Sequence, residues 1–159
     1  MSGSAPGEPT TTSADDWREQ RRVASAALAE RLEQRRRAES ARARELIAEF
    51  VRAAQARGVA PVPLRARGYS GAHRYRTDLE GWYLRRDETI AVGTDGEYYV
   101  LTVAGGLTAR MRGTHVEPQD PPLVVGAGGK DGESVDLPVA LARALGDSDG
   151  PGIGEPHRV

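Results

Sequence analysis

Residues 81–112 read GWYLRRDETIAVGTDGEYYVLTVAGGLTARMR, and this stretch decides the fold. Aromatic and β-branched residues alternate with polar ones in four short runs, 81–86, 89–92, 97–103 and 107–112. The runs are separated by Asp87, by Gly93 to Gly96, and by Gly105-Gly106. Asp95-Gly96 and Gly105-Gly106 are residue pairs that reach the positive φ of tight hairpin loops without steric cost. The pattern predicts an antiparallel meander from about 81 to 112. Successive side chains of a strand point to opposite faces, so the alternation also assigns the faces. Trp82, Leu84, Ile90, Val92, Tyr99, Leu101, Val103, Leu107, Ala109 and Met111 fall on the expected core side. Tyr83, Arg85, Thr89, Tyr98, Thr102, Thr108, Arg110 and Arg112 fall on the side expected to be wet.

Upstream, residues 61–66 (PVPLRA) read as a Pro-bearing edge strand, because proline cannot donate to a ladder. A polar loop through Gly68, Ser70, Gly71 and His73 follows, with Arg74 and Arg76 at its end. Further upstream the grammar is helical. From Ala14 to Arg57 there is neither Pro nor Gly, and Ala, Arg, Glu, Gln and Leu dominate. Ser13 is the expected N-cap, with Asp16 in the first turn, and Gly58 is the stop. At about 1.5 Å per residue such a helix is roughly 66 Å long. A domain of about 100 residues has a radius of gyration of about 13 Å, so the helix must break, protrude or find a partner. Leu46, Ile47, Phe50, Val51 and Ala54 make one wide stripe, the expected docking face on the following domain. Trp17, Val23, Ala24, Ala27, Leu28 and Leu32 make a second, weaker one. Between Glu33 and Glu45 only alanines are apolar, a charged strut in which Glu33 and Arg37 stand at the favourable i,i+4 spacing.

Downstream, Leu123 to Val125 is a candidate strand, followed by a Gly-rich acidic loop. Asp136-Leu137-Pro138 starts a short helix through Leu145, with Gly146 as its stop. The fold class expected is α+β: a long N-terminal helix packed at its C-terminal end on a small antiparallel β-meander, with a short C-terminal helix. Its divisions are a disordered tail over 1–12, a helix over 13–57, an α+β domain over 58–146 and a second disordered tail over 147–159.

Charge is uneven along the chain. Residues 17–57 hold 11 Arg against 6 Glu, a balance of +5, while residues 117–159 hold 3 basic and 8 acidic groups, a balance of −5. The chain has no cysteine, which excludes disulfides, thiol catalysis and cysteine-ligated zinc. No apolar run approaches the roughly 20 residues of a membrane span, and the N-terminus lacks the marks of a signal peptide, so the expected location is the cytoplasm.

Four constellations bear on chemistry. The expected wet sheet face carries Tyr83, Arg85, Tyr98, Arg110 and Arg112, residue types that stack bases and bind phosphate. Arg35, Arg36 and Arg37 point in different directions round a helix and are interleaved with glutamates, which favours a solvated strut or a salt-bridged coiled coil. GAGGK (126–130) lacks the leading Gly and the trailing Ser or Thr of a phosphate loop, since those positions hold Val124 and Asp131. His115, Glu117 and Asp120 are ligand types without a recognisable metal spacing. No Ser, His and Asp set has a nucleophile context, so no catalytic residue, metal or cofactor is assigned.

The stretch GWYLRRDETIAVGTDGEYYVLTVAGGL (81–107) resembles segments of short proteins from high-GC actinobacteria, over about residues 45 to 145; the resemblance implies no activity. The letters Trp82-Tyr83-Leu84 also resemble the WYL ligand-sensing domain of bacterial regulators, whose accompanying arginine pattern and helix-turn-helix are not recognisable here. The leading expectation is a bacterial protein that is not an enzyme. It is a protein–protein interaction or assembly module using its N-terminal helix for a protein partner or for self-association, with Leu46, Ile47, Phe50 and Val51 docking that helix. The alternatives are a nucleic-acid-binding accessory protein and a small metal-dependent hydrolase around His115.

Overall fold

An alanine- and arginine-rich stretch without Pro or Gly continues as helix until a residue leaves the right-handed region. In the computed structural model, which describes residues 3, 11–126 and 134–147, that residue is Gly58, at φ +69°. Helix α1 (Thr11–Arg57) is one uninterrupted element of 47 residues. Its end is satisfied by the backbone: the Val59 amide donates to the Ala54 carbonyl at 2.9 Å and the Gly58 amide to the Gln55 carbonyl at 3.2 Å. These are the two bonds of the glycine-terminated Schellman stop. Ser13, the expected N-cap, lies inside the helix, which starts at Thr11. The chain divides into two compact units, Met1–Ala38 and Glu39–Val159, so the last turns of α1 belong with the sheet.

The sheet holds β1 (Val62–Gly68), β2 (Arg74–Tyr83), β3 (Ile90–Gly93), β4 (Tyr98–Val100) and β5 (Thr102–Val103), in the order β4-β3-β2-β1-β5. The first three pairings, β1–β2, β2–β3 and β3–β4, are antiparallel, as the meander requires. The fourth, β1–β5, is parallel. Because β4 and β5 are consecutive pieces of one extended run, Tyr98 to Val103, that run pairs with β3 at one edge and with β1 at the other. The sheet therefore closes on itself around Leu101. The seam is held by the Arg67 amide donating to the Leu101 carbonyl at 2.6 Å and the Tyr69 amide to that of Val103 at 3.1 Å.

Closure explains three departures from the sequence reading. β1 is an interior strand rather than an edge, and Pro63 is tolerated because the β1–β2 register shifts between Pro63 and Arg65. At that bulge the Thr77 hydroxyl donates to the Leu64 carbonyl at 2.7 Å, replacing a ladder bond. Arg74 and Arg76, expected in the loop, open strand β2. Residues 107–112, expected as the last strand, form helix α2 (Leu107–Arg112) with no buried residue, because both sheet edges are already occupied. Leu107 is 81% exposed and Met111 79%.

Two separate cores form on the sheet. One core joins Ala43, Ile47, Phe50 and Ala54 of α1 to Trp82, Leu84, Ile90, Val92 and Tyr98. Phe50 meets Trp82 edge to face at 5.4 Å, and the Trp82 indole N–H donates to the Val59 carbonyl at 3.0 Å. The second core, inside the closed sheet, gathers Leu64, Ala66, Ala91, Tyr99, Leu101 and Val116. The expected wet face is thus buried at Tyr98, which is 4% exposed. The reason is a register step of one residue. The expected faces set Val92 opposite Tyr99, as a two-residue Asp95-Gly96 loop would; the observed partner is Tyr98, across a three-residue loop, Thr94 to Gly96. A slip of one exchanges every side chain between faces. Strands β6 (Val124–Val125) and β7 (Val135–Asp136) form a second small sheet. Helix α3 (Leu137–Ala144) contributes Leu137, Ala140 and Leu141 to the first core. It stops at Gly146, φ +85°, by the same pair of backbone bonds as α1. The expected Gly-rich loop, GAGGK beyond Gly126, and most of both expected tails lie outside the described residues.

Candidate functional site

The five residues of the expected ligand face are not brought together. Tyr83 is half-buried against the inner core, and its hydroxyl accepts the Arg65 amide at 2.9 Å. Tyr98 lies in the outer core, where burial pushes its hydroxyl up to about 12 against the opposing charge of Arg85. Arg85 is held by Asp87, Nη2 to Oδ2 at 3.2 Å. Burial alone would raise the Asp87 carboxyl, but hydrogen bonds from the Thr89 hydroxyl and amide and the charge of Arg85 outweigh it and hold it below the usual carboxylate value. Tyr83 and Arg85 line an open cleft of about 460 Å³ with Arg86, Arg143 and Asp147. Arg112 lines a different one, of about 490 Å³, with Arg76, Asp78, Gly113 and His115.

A stronger arrangement is one the sequence reading did not anticipate. In the β1–β2 ladder Arg65 stands directly opposite Arg76, and Arg67 opposite Arg74. Between them Ala66 and Tyr75 pair and are buried, so the four arginines share the outer face. Arg74 pairs with Glu88, and Arg67 reaches the carbonyls of Gly71 and Asp87 at 3.4 Å each. Among the described residues no carboxylate forms an ion pair with Arg65, Arg76, Arg110 or Arg112. The Thr114 amide donates to the Arg76 carbonyl at 2.8 Å and seats the end of α2, with Arg112, beside this face. The turn joining the two strands carries Tyr69, 75% exposed, and His73, whose ring stacks on Tyr75 at 6.5 Å. The signal present in the sequence was the Arg-x-Arg pair at 65–67 and again at 74–76. It was hidden by placing one in an edge strand and the other in a loop.

His115, Glu117 and Asp120 do not come together as one ligand set. The His115 Nε2 lies 3.0 Å from Glu117 and its Nδ1 3.6 Å from Asp78, while Asp120 pairs with Arg44. Among the described residues no group of three or more His, Cys, Asp or Glu side chains is placed to hold a metal ion.

The helix residues expected to dock do pack on the sheet: Ile47 and Phe50 are buried, with Leu46 and Val51 against them. From Ser13 to Ala38 the helix is of a different kind. Every side chain there is exposed except half-buried Glu33, and Trp17, Val23, Leu28 and Leu32 are each 57–59% exposed. Val23, Ala24 and Ala27 line a shallow groove with Asp16, Glu19 and Gln20. Several charged residues of this segment are tied to neighbours on the same helix, Arg18 to Asp15 at 2.9 Å, Arg22 to Glu19 at 3.2 Å and Arg37 to Glu33 at 3.1 Å. Arg21 covers the Trp17 ring, its guanidinium carbon 4.1 Å from the ring centroid. No protein-family model, curated protein or solved structure matches this chain.

Proposed function

We propose that this protein is an interaction module, not an enzyme: a closed β domain serves as the base, and the segment of α1 from Ser13 to Ala38 is the surface that docks a protein partner or a second copy. The observation that carries this reading is the exposure of Trp17, Val23, Leu28 and Leu32, four large apolar side chains within 16 residues of one helix. Single exposed apolar residues are ordinary, but Trp17, Leu28 and Leu32, with Ala24 between them, fall within about 80° of one side of the helix at about 100° per residue, while Val23 stands on another side with Ala27. Fully burying a Val or Leu side chain is worth about 1.5–3 kcal/mol. Half-exposed residues of these types therefore leave a driving force of several kcal/mol for association. The intrahelical ion pairs suit such a surface, since they hold the helix in register while adding only about 0.3–0.5 kcal/mol each. Among the described residues no helix is long and apolar enough to cross a membrane.

The test is affinity capture with the full-length chain against the double variant Leu28→Glu, Leu32→Glu. The reading expects partners, or additional copies of the chain, held by the wild type and lost from the variant, with thermal unfolding of the β domain unchanged. Equal capture by both proteins would remove it.

A further inference from the structure

We propose that the outer face of the β1–β2 ribbon is a binding surface for single-stranded nucleic acid, distinct from the helical docking surface. Side chains directly opposite in an antiparallel pair have Cβ atoms about 4.5–5.5 Å apart, and like charges there destabilise the sheet. Two such pairs, Arg65–Arg76 and Arg67–Arg74, follow each other on this ribbon. Glu88 answers Arg74, and carbonyls answer Arg67, but Arg65 and Arg76 have no carboxylate partner among the described residues. Arg112 extends the same run of charge beside Arg76. An external anion with repeated charges removes this repulsion, and a nucleic-acid backbone supplies phosphates at that kind of spacing.

Two features select a single strand. The ribbon ends in a turn that presents Tyr69, 75% exposed and surpassed among the exposed large apolar side chains of the described residues only by Leu107 and Met111 of α2, and a base can stack on such a ring. Arg76 and Arg112 line one open cleft with Thr77, Gly113 and Thr114, where a flexible strand can seat a phosphate. Asp78 and His115 line the same cleft and bound the basic run there.

The experiment is fluorescence anisotropy of the full-length chain with labelled single-stranded and duplex probes of mixed sequence, over a salt series. With three unpartnered arginines engaged, a single strand should bind with a log–log salt slope of about −2, weakening about sixteenfold from roughly 50 to 200 mM salt. Arg65→Gln with Arg76→Gln should reduce that slope by about 1.4. Because it removes a like-charge pair, this variant should melt no lower than the wild type, so lost binding cannot be put down to misfolding. Tyr69→Ala should weaken single-strand binding about tenfold and leave duplex binding unchanged. Absence of binding at the lowest salt overturns the proposal, as does an unaltered slope in the arginine variant. Displacement by polyglutamate at equal charge concentration overturns it too, since the face would then suit acidic protein as well as nucleic acid. None of these outcomes bears on the helical docking surface.

Discussion

Leu101→Ala and Leu107→Ala test the closed sheet as a pair. The alternation in the sequence puts both leucines on one core face, whereas the structure separates them completely. Leu101 is fully buried at the point where the run from Tyr98 to Val103 changes partners, packed among Leu64, Ala66, Ala91, Tyr99 and Val116. Leu107 is among the most exposed apolar residues. Truncating Leu101 removes three carbons, worth about 2.4 kcal/mol of transfer free energy at about 0.8 each. The cavity left inside the sheet raises the expected loss to about 3–5 kcal/mol. Truncating Leu107 should change stability by less than about 0.5 kcal/mol. Urea unfolding followed by Trp82 fluorescence, in a Trp17→Phe background that removes the exposed indole, measures both. Comparable losses for the two variants would refute the closure and restore the four-stranded meander.

Gly81→Ala and Gly58→Ala separate two kinds of glycine. A Cβ at Gly81 would stand 2.0 Å from the Val92 carbonyl oxygen, so this variant should lose about 3 kcal/mol or more in the same unfolding assay. At Gly58 nothing lies within 4 Å and only φ +69° resists, a cost of roughly 1–2 kcal/mol; equal losses would contradict the β2–β3 approach. Stability should also fall with rising pH above about 10. Burial raises Tyr98 to about 12, and burial with the hydrogen bond to Asp95 and the nearby carboxylates raises Tyr99 as well. The unfolded chain therefore releases these protons first, and the stability they contribute, present below pH 10, is lost as pH rises through the folded value. Tyr98→Phe should shallow that decline, and tyrosinate absorbance against pH should show two late-titrating groups; titration of all five tyrosines near 10 would contradict the burial.

The parts legible in the sequence are those fixed by local chemistry. A helix that runs to Gly58, a proline-opened helix stopped by Gly146, and the turns at Asp87 and at Gly93 to Gly96 each depend on a few neighbouring residues, although the first of these turns also takes in Arg85 and Arg86, expected as strand. What the sequence concealed depends on contacts distant along the chain. The parallel β1–β5 seam has no local signature, and with it went the interior status of β1 and the fate of residues 107–112. Leu107, Ala109 and Met111 fit a strand by period two, yet only an unoccupied sheet edge would have made them one. The position of Tyr98 turned on a single loop residue, Thr94, which decides between a two- and a three-residue hairpin. Of the candidate sites, the exposed apolar residues of α1 were visible as a weak stripe. The arginine ribbon was not, because pairing Arg65 with Arg76 requires the bulge at Leu64 and Thr77.

The most direct test of the docking surface is the absolute mass of the full-length chain by light scattering after size exclusion, over a concentration series, with and without its captured partner. The account predicts a dimer or a defined complex for the wild type and a monomer for Leu28→Glu, Leu32→Glu. A wild-type chain that stays monomeric at every concentration and in the presence of every captured protein would contradict it.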